Sequence, residues 1–263
     1  MLLAKSRKHW DDMGQLDPCW AILSEPGTKF GGWDLHEFLA TGGEEIEALM
    51  IAGQELGLPE GRGRALDFGC GIGRLTRALG HYFTRVIGTD ISESMLRQAS
   101  ELDPIPNISF VANSNDSLPF ATCSFDLIYT AIVLQHVPQK NAVRRYVAEF
   151  VRTLKIRGLL VMQIPSYIPL RNRLQPRRRL YGWLREAGVP AKILYNKLGL
   201  HPIPMTFLPE EEVRAIVDRN GGKVLKAVPD SRAGSHISSR TYYVTKEPFC
   251  IPSSDQKPST DLR

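Results

Sequence analysis

Ala65-Leu66-Asp67-Phe68-Gly69-Cys70-Gly71-Ile72-Gly73-Arg74 is the stretch that decides the fold. A short apolar run, Arg64–Phe68, reads as a strand and breaks into three glycines at alternate positions. Leu75, Ala78, Leu79 and Tyr82 then recur on one face of a helix. Glycines at a strand-to-helix turn let the backbone approach a ligand closely. Outward from this unit, apolar runs and helical patterns alternate. Strands are expected at 84–90, Ile108–Ala112, 125–129, 159–164, 223–228 and 240–245. Helices are expected after Ser92, with Met95, Leu96, Ala99 and Leu102 inward, over 140–154, and after Pro209, where Glu210, Glu211 and Glu212 open a first turn. A short apolar helix is expected after the fourth strand. The alternation predicts an α/β fold, a seven-stranded, mostly parallel sheet with helices on both faces.

The glycine turn narrows the ligand. Nicotinamide enzymes share Gly-x-Gly, so the pair alone is weak. Here the spacing is Gly-x-Gly-x-Gly, and Arg74 stands where the dinucleotide fingerprint has its third glycine. Asp67, two residues before Gly69, would repel a pyrophosphate. It suits S-adenosylmethionine, which carries a sulfonium and an ammonium against one carboxylate. Asp90 closes the second strand 21 residues after Gly69, where an acidic side chain can accept from both ribose hydroxyls. Taken alone, Asp90 also suits a helix cap.

Residues 64–163 resemble the class I S-adenosylmethionine-dependent methyltransferases, within them the small-molecule group typified by ubiquinone and menaquinone biosynthesis (methyltransferase type 11). Leu66-Asp67-Phe68-Gly69-Cys70-Gly71-Ile72-Gly73 is similar to the first family motif and Val86-Ile87-Gly88-Thr89-Asp90-Ile91-Ser92 to the second. Asn113-Ser114 with Leu118-Pro119-Phe120 resembles the adenine-binding loop, and Ser124-Phe125-Asp126-Leu127-Ile128-Tyr129 the fourth-strand motif. The resemblance implies a Rossmann-like fold with S-adenosyl-L-methionine as cofactor. By the same resemblance Gly69, Cys70, Gly71 and Gly73 line the methionine portion, and Asp67 helps hold its ammonium. Asp90 binds ribose, Ile91 and Met95 pack near adenine, and Tyr129 and Ser114 complete the pocket. The adenine amine usually meets an aspartate in this family. Asn113 stands there instead, and its amide oxygen can still accept.

Sites in open α/β sheets lie at the carboxyl ends of strands, here Tyr129-Thr130-Ala131-Ile132-Val133-Leu134-Gln135-His136-Val137. His136 is the candidate general base, since an ordinary imidazole titrates near pH 6.5. A structural histidine packed on the sheet is the competing reading. His201, in Leu200-His201-Pro202, is a second candidate. Residues 1–62 form an N-terminal helical extension with Trp10, Trp20 and Trp33, which suit a cover over the cofactor or backing for a cap. A helix at 43–56 carries Ile46, Leu49 and Met50 inward. Residues 165–206 form an insertion within the methyltransferase domain, 63–246, and the Ser- and Pro-rich tail, 247–263, is expected to be disordered.

The insertion holds six Arg, two Lys and one Glu, a charge of +7 in a chain of +5, so the remainder is about −2. A charge this local opposes a uniformly basic nucleic-acid binder. It suits a cap over the acceptor, with Arg177-Arg178-Arg179 able to meet a carboxylate or phosphate. The expected acceptor is a small molecule of aromatic, acidic or lipid-like character. Basic residues beside Trp183 and leucines also suit peripheral contact with a membrane surface. No apolar run approaches the roughly 20 residues of a membrane span. Cys19, Cys70, Cys123 and Cys250 show no metal spacing and read as free thiols, so a cytoplasmic protein is expected. A catalytically silent cofactor-binding module would be marked by loss of Asp67, Asp90 or the glycines, all of which are present.

Overall fold

The computed structural model describes residues 2–102, 104–234 and 236–247; the tail from 248 on, with Cys250, lies outside the described residues. Seven strands form one sheet: β1 (Arg64–Phe68), β2 (Arg85–Asp90), β3 (Ile108–Ala112), β4 (Phe125–Thr130), β5 (Leu154–Tyr167), β6 (Gly222–Asp230) and β7 (Ser238–Lys246). Their order is β3-β2-β1-β4-β5-β7-β6. The strands β1 to β5 pair in parallel, and β7 runs antiparallel to β5 and β6. The chain turns back between β1 and β4, and in open α/β sheets that switch point opens a crevice at the strands' carboxyl ends.

Side-chain alternation along β1 sets the two layers. Leu66 and Phe68 face a core with Phe150 and Val147 of α6 (Lys140–Thr153) and Val213 and Val217 of α10 (Glu210–Arg219). Ala65 faces the other side, where Ile46, Leu49 and Met50 of α3 (Leu35–Glu55) pack with Leu75, Ala78 and Leu79 of α4 (Arg74–Leu79). Removing a large side chain such as Phe150, fully buried, costs about 3–5 kcal/mol. On α5 (Glu93–Glu101), Ser92 caps the first turn, its hydroxyl accepting from Met95 N at 3.2 Å.

Several expectations shift at their edges. Tyr82 is exposed because α4 ends at Leu79 and Gly80 starts the turn. The apolar helix expected after β4 is one 3-10 turn, Leu134–His136. The helix read at 43–56 begins at Leu35, where Asp34 accepts from Glu37 N at 3.0 Å and caps it earlier.

The N-terminal helices α1 (Leu2–Leu16) and α2 (Pro18–Ile22) fold over the crevice. Met13 and Trp20 share an apolar cluster with Ile72 and Met95, and with Tyr195 and Ile203 from the segment after β5. That segment carries α7 (Leu170–Arg173), α8 (Pro176–Glu186) and α9 (Ala191–Asn196), with a small core of Tyr181, Leu194 and Leu200. Polar ties join it to α1 and α2. Arg185 donates to both oxygens of Asp12 at 2.9 and 3.1 Å, and Tyr195 Oη donates to Asp17 at 2.7 Å. No helix among the described residues is long and apolar enough to cross a membrane.

Candidate active site

The glycine turn is held by its neighbours. Gly69, Gly71 and Gly73 have φ of 79°, 55° and 86°, a region that favours glycine. The amides of Gly69 and Cys70 donate to the Thr89 carbonyl at 2.7 and 3.0 Å. Asp90 Oδ2 accepts from Gly71 N at 2.9 Å and Oδ1 from Ser92 N at 2.8 Å. Two elements thus aim one carboxylate at the crevice. Burial raises its titration above the usual carboxylate range, against these hydrogen bonds.

Gly69, Gly71, Asp90, Ile91, Met95, Asn113 and His136 all border one cleft, with Trp10, Ile22, Thr89, Val133 and Tyr146. The cleft is tight, about 100 Å³. A Cβ on Gly71 would strike Ile22 of α2, and one on Gly69 would strike Val133. The glycine turn is therefore covered by two apolar side chains. The Thr89 hydroxyl in the cleft wall is buried and has no hydrogen-bond partner among the described residues.

Other residues singled out in the sequence lie apart from the cleft wall. Asp67 sits behind the turn on the α4 face, where Thr76 Oγ1 donates to it at 2.6 Å. Burial pushes its carboxyl up to about 7. Cys70 is buried, and its thiol is pushed well up by the same desolvation. Gly73 packs beneath Phe110 and Ala99. Ser114 borders a surface hollow with Arg7 and Asp11. Tyr129 is a correction. The alternation of β4 turns it to the α3 face, where its hydroxyl donates to Glu45 at 2.6 Å and accepts from Arg232 at 2.9 Å. Arg74 also donates to Glu45, at 2.7 Å, and Arg232 pairs with it. Burial, then Glu45, raises the Tyr129 phenol. Burial alone would raise Glu45, but Arg74 and Arg232 outweigh it and hold it low.

Both nitrogens of His136 are engaged. Nδ1 donates to the Pro204 carbonyl at 2.7 Å, which leaves Nε2 to accept from the Gln135 amide at 3.1 Å. The Gln135 oxygen accepts from Gln163 at 3.3 Å, and the Gln163 oxygen accepts from Ile132 N at 2.9 Å. Burial, with Arg178 and His201 nearby, depresses His136 to about 4 despite the Pro204 bond. The ring is neutral at neutral pH, with its lone pair occupied. His201, also depressed to about 4 by burial and the adjacent Arg178, packs edge-on to Trp20 outside this cleft.

A wider groove of about 800 Å³ adjoins the cleft and shares Ser6, Trp10 and Pro138 with it. Its walls are α1 on one side and α8 with residues 202–206 on the other. Of the three N-terminal tryptophans, Trp10 lines both spaces, whereas Trp20 and Trp33 pack in the apolar cluster behind. Sequence periodicity gave no sign of Ser6, Ile22 or Pro138, because their proximity to the turn arises from chain folding alone. No group of three or more His, Cys, Asp or Glu able to hold a metal occurs among the described residues.

Comparison with known proteins gives the same reading of the sheet. Residues 66–162 match the family model described as a methyltransferase domain. An uncharacterized methyltransferase of Bacillus subtilis is 30% identical over 132 residues, 47% of this chain and 51% of that protein. The trans-aconitate 2-methyltransferase of Variovorax paradoxus is 34% identical over 125 residues, 47% of this chain and 44% of that protein. The chain spans about half the length of these curated relatives. Among solved structures, magnesium protoporphyrin IX methyltransferase from Synechocystis superposes with a TM-score of 0.61 at 19% identity, covering 94% of this chain and 100% of that one. At that identity the likeness speaks for the fold. Residues 66–162 of this chain thus match a methyltransferase domain, and the sheet around them has the fold of a solved methyltransferase.

Proposed function

We propose that the chain is an S-adenosylmethionine-dependent methyltransferase that binds its cofactor in the glycine-turn cleft and a small-molecule acceptor in the adjoining groove. The observation that carries this reading is the convergence on one cleft of Gly69, Gly71, Asp90, Ile91 and Asn113 from the ends of β1, β2 and β3, with Met95 from the first turn of α5. The donor set fits the cofactor. Asp90 suits two ribose hydroxyls, Ile91 and Met95 offer an apolar shelf for a purine, and the orphaned Thr89 hydroxyl offers one more polar contact. Asn113 can accept from an exocyclic amine. Asp67, buried behind the turn, would act on the ammonium through intervening groups rather than by direct contact.

When bound, the cofactor supplies an electrophilic methyl group with its own leaving group. The chain must then bind, align and exclude water. Trp10 and Pro138, shared by cleft and groove, form the passage between donor and acceptor. His136 positions the loop after β4 and anchors Pro204 rather than removing a proton, since its lone pair is engaged and its basicity is low. An acceptor whose nucleophile needs no base fits this site.

Calorimetric titration with S-adenosylmethionine, S-adenosylhomocysteine and NADH tests the reading. Micromolar binding of the two adenosyl-sulfur compounds without NADH is expected, as is transfer of a tritiated methyl to an acceptor pool. Binding of NADH alone would overturn it.

A further inference from the structure

The groove between α1 and α8 holds more positive charge than the fold uses. Four cations and one acid border it: Lys5, Arg173, Arg178, Arg179 and Glu186. Lys5 and Glu186 are paired with each other. Arg173 is spent on the Ile168 carbonyl, at 2.7 Å, and on the Phe207 ring, 4.6 Å from its guanidinium. Arg178 and Arg179 remain, and neither has a hydrogen-bonding side-chain partner or a carboxylate among the described residues. Arg178 is half-buried. A half-buried guanidinium that faces a groove without a carboxylate is a ready partner for an anionic ligand.

Trp10 and Trp183 also border the groove, and Trp183 is 73% exposed. We propose that the groove binds an acceptor with an aromatic or apolar body and an oxyanion, the oxyanion held by Arg178 and Arg179 and the body lying between Trp10 and Trp183. Arginine presents a planar fork suited to carboxylate and phosphate and stacks on aromatic rings.

This assignment rests on the groove being the acceptor site, but its test does not need turnover. The probe is 8-anilinonaphthalene-1-sulfonate, with N-phenyl-1-naphthylamine as the same aromatic body without the anion. The sulfonate is expected to bind the full chain at least about tenfold more tightly than the neutral probe. Arg178→Gln and, separately, the more exposed Arg179→Gln should each weaken the sulfonate about tenfold and leave the neutral probe unchanged. Displacement by 2-naphthoate and 2-naphthyl phosphate tells which oxyanion is preferred, and 2-naphthamide should displace poorly. Equal binding of the charged and neutral probes, or wild-type sulfonate affinity in both variants, overturns the proposal. Parallel titration with S-adenosylhomocysteine keeps the two readings apart. Its failure with charge-selective probe binding intact would remove the cofactor reading and leave the anion site.

Discussion

His136 Nδ1 lies 2.7 Å from the carbonyl oxygen of Pro204, and this bond, with that from Thr206 Oγ1 to the Val137 carbonyl at 2.7 Å, joins the wall of the cleft to the wall of the groove. Pro204 borders the groove and His136 the cleft. The bond is a device for registering two chain segments 68 residues apart. It also fixes the proton on Nδ1 and turns Nε2 to Gln135.

The neutral state of His136 makes a pH prediction. Its folded value, about 4, lies below the unfolded value of 6.5, so between these limits the unfolded chain holds more protons. Stability then rises with pH across that window and falls as pH drops from about 6.5 towards 4. His201, also at about 4, adds in the same sense. Asp67, raised to about 7, opposes it, because the folded chain holds that proton up to about 7. Urea melts from pH 4 to 7 should show an acid loss in the wild type that His136→Asn reduces by on the order of 2–3 kcal/mol. An identical acid loss in the variant would contradict the buried neutral ring.

Asp90 serves the turn and the proposed ribose at once. Asp90→Ala removes the acceptor of both the Gly71 and Ser92 amides, and leaves two amides without their partner at about 1–3 kcal/mol each where water cannot reach. S-adenosylhomocysteine affinity should fall by at least about tenfold, as expected for loss of charge-assisted hydrogen bonds. Calorimetry on this variant with unchanged affinity would refute the ribose assignment.

Gly71 is constrained by backbone and by space. Its φ of 55° is unfavourable for a side-chain-bearing residue, and its added Cβ would strike Ile22. Gly71→Ala should lose about 1–3 kcal/mol. Adding Ile22→Ala should recover the steric part and leave the backbone part, so the double variant melts between Gly71→Ala and the wild type. A double variant no more stable than Gly71→Ala would mean Ile22 is not the obstruction.

The same contact implies motion on binding. A cleft of about 100 Å³ is below the roughly 300 Å³ from which ligand pockets start, so Ile22 and α2 must shift to admit a nucleoside. Hydrogen exchange should report altered protection within 2–22 when S-adenosylhomocysteine is added. Unaltered exchange there, with ligand bound, would show that the cover stays in place.

Tyr129 separates stability from binding. Tyr129→Phe keeps the ring and removes the hydroxyl between Glu45 and Arg232. Stability should fall by about 1–2 kcal/mol, with S-adenosylhomocysteine affinity unchanged, since the residue lies behind the sheet from the cleft. A weakened affinity with unaltered melting would return Tyr129 to the pocket wall.

The sequence by itself determined the sheet and the turn. Alternation fixes strands within a residue or two for β1, β2 and β3, and the inward stripe Val143, Tyr146, Val147, Phe150 and Val151 of α6 is buried as its spacing requires. Glycine spacing followed by an acid at the end of β2 marked Gly69, Gly71 and Asp90 because the backbone geometry that needs them is local. Only the tertiary structure decided the rest. Tyr129 is adjacent in sequence to the loop it was expected to serve, yet strand alternation sends its side chain to the opposite layer. Ile22 and Trp10 carry no motif and reach the turn because α1 and α2 fold back over it. Arg178 and Arg179 look like the rest of a basic run until the ion pairs of the neighbouring residues are known. Which charges are left without a partner depends on contacts between distant segments, and no local pattern encodes them.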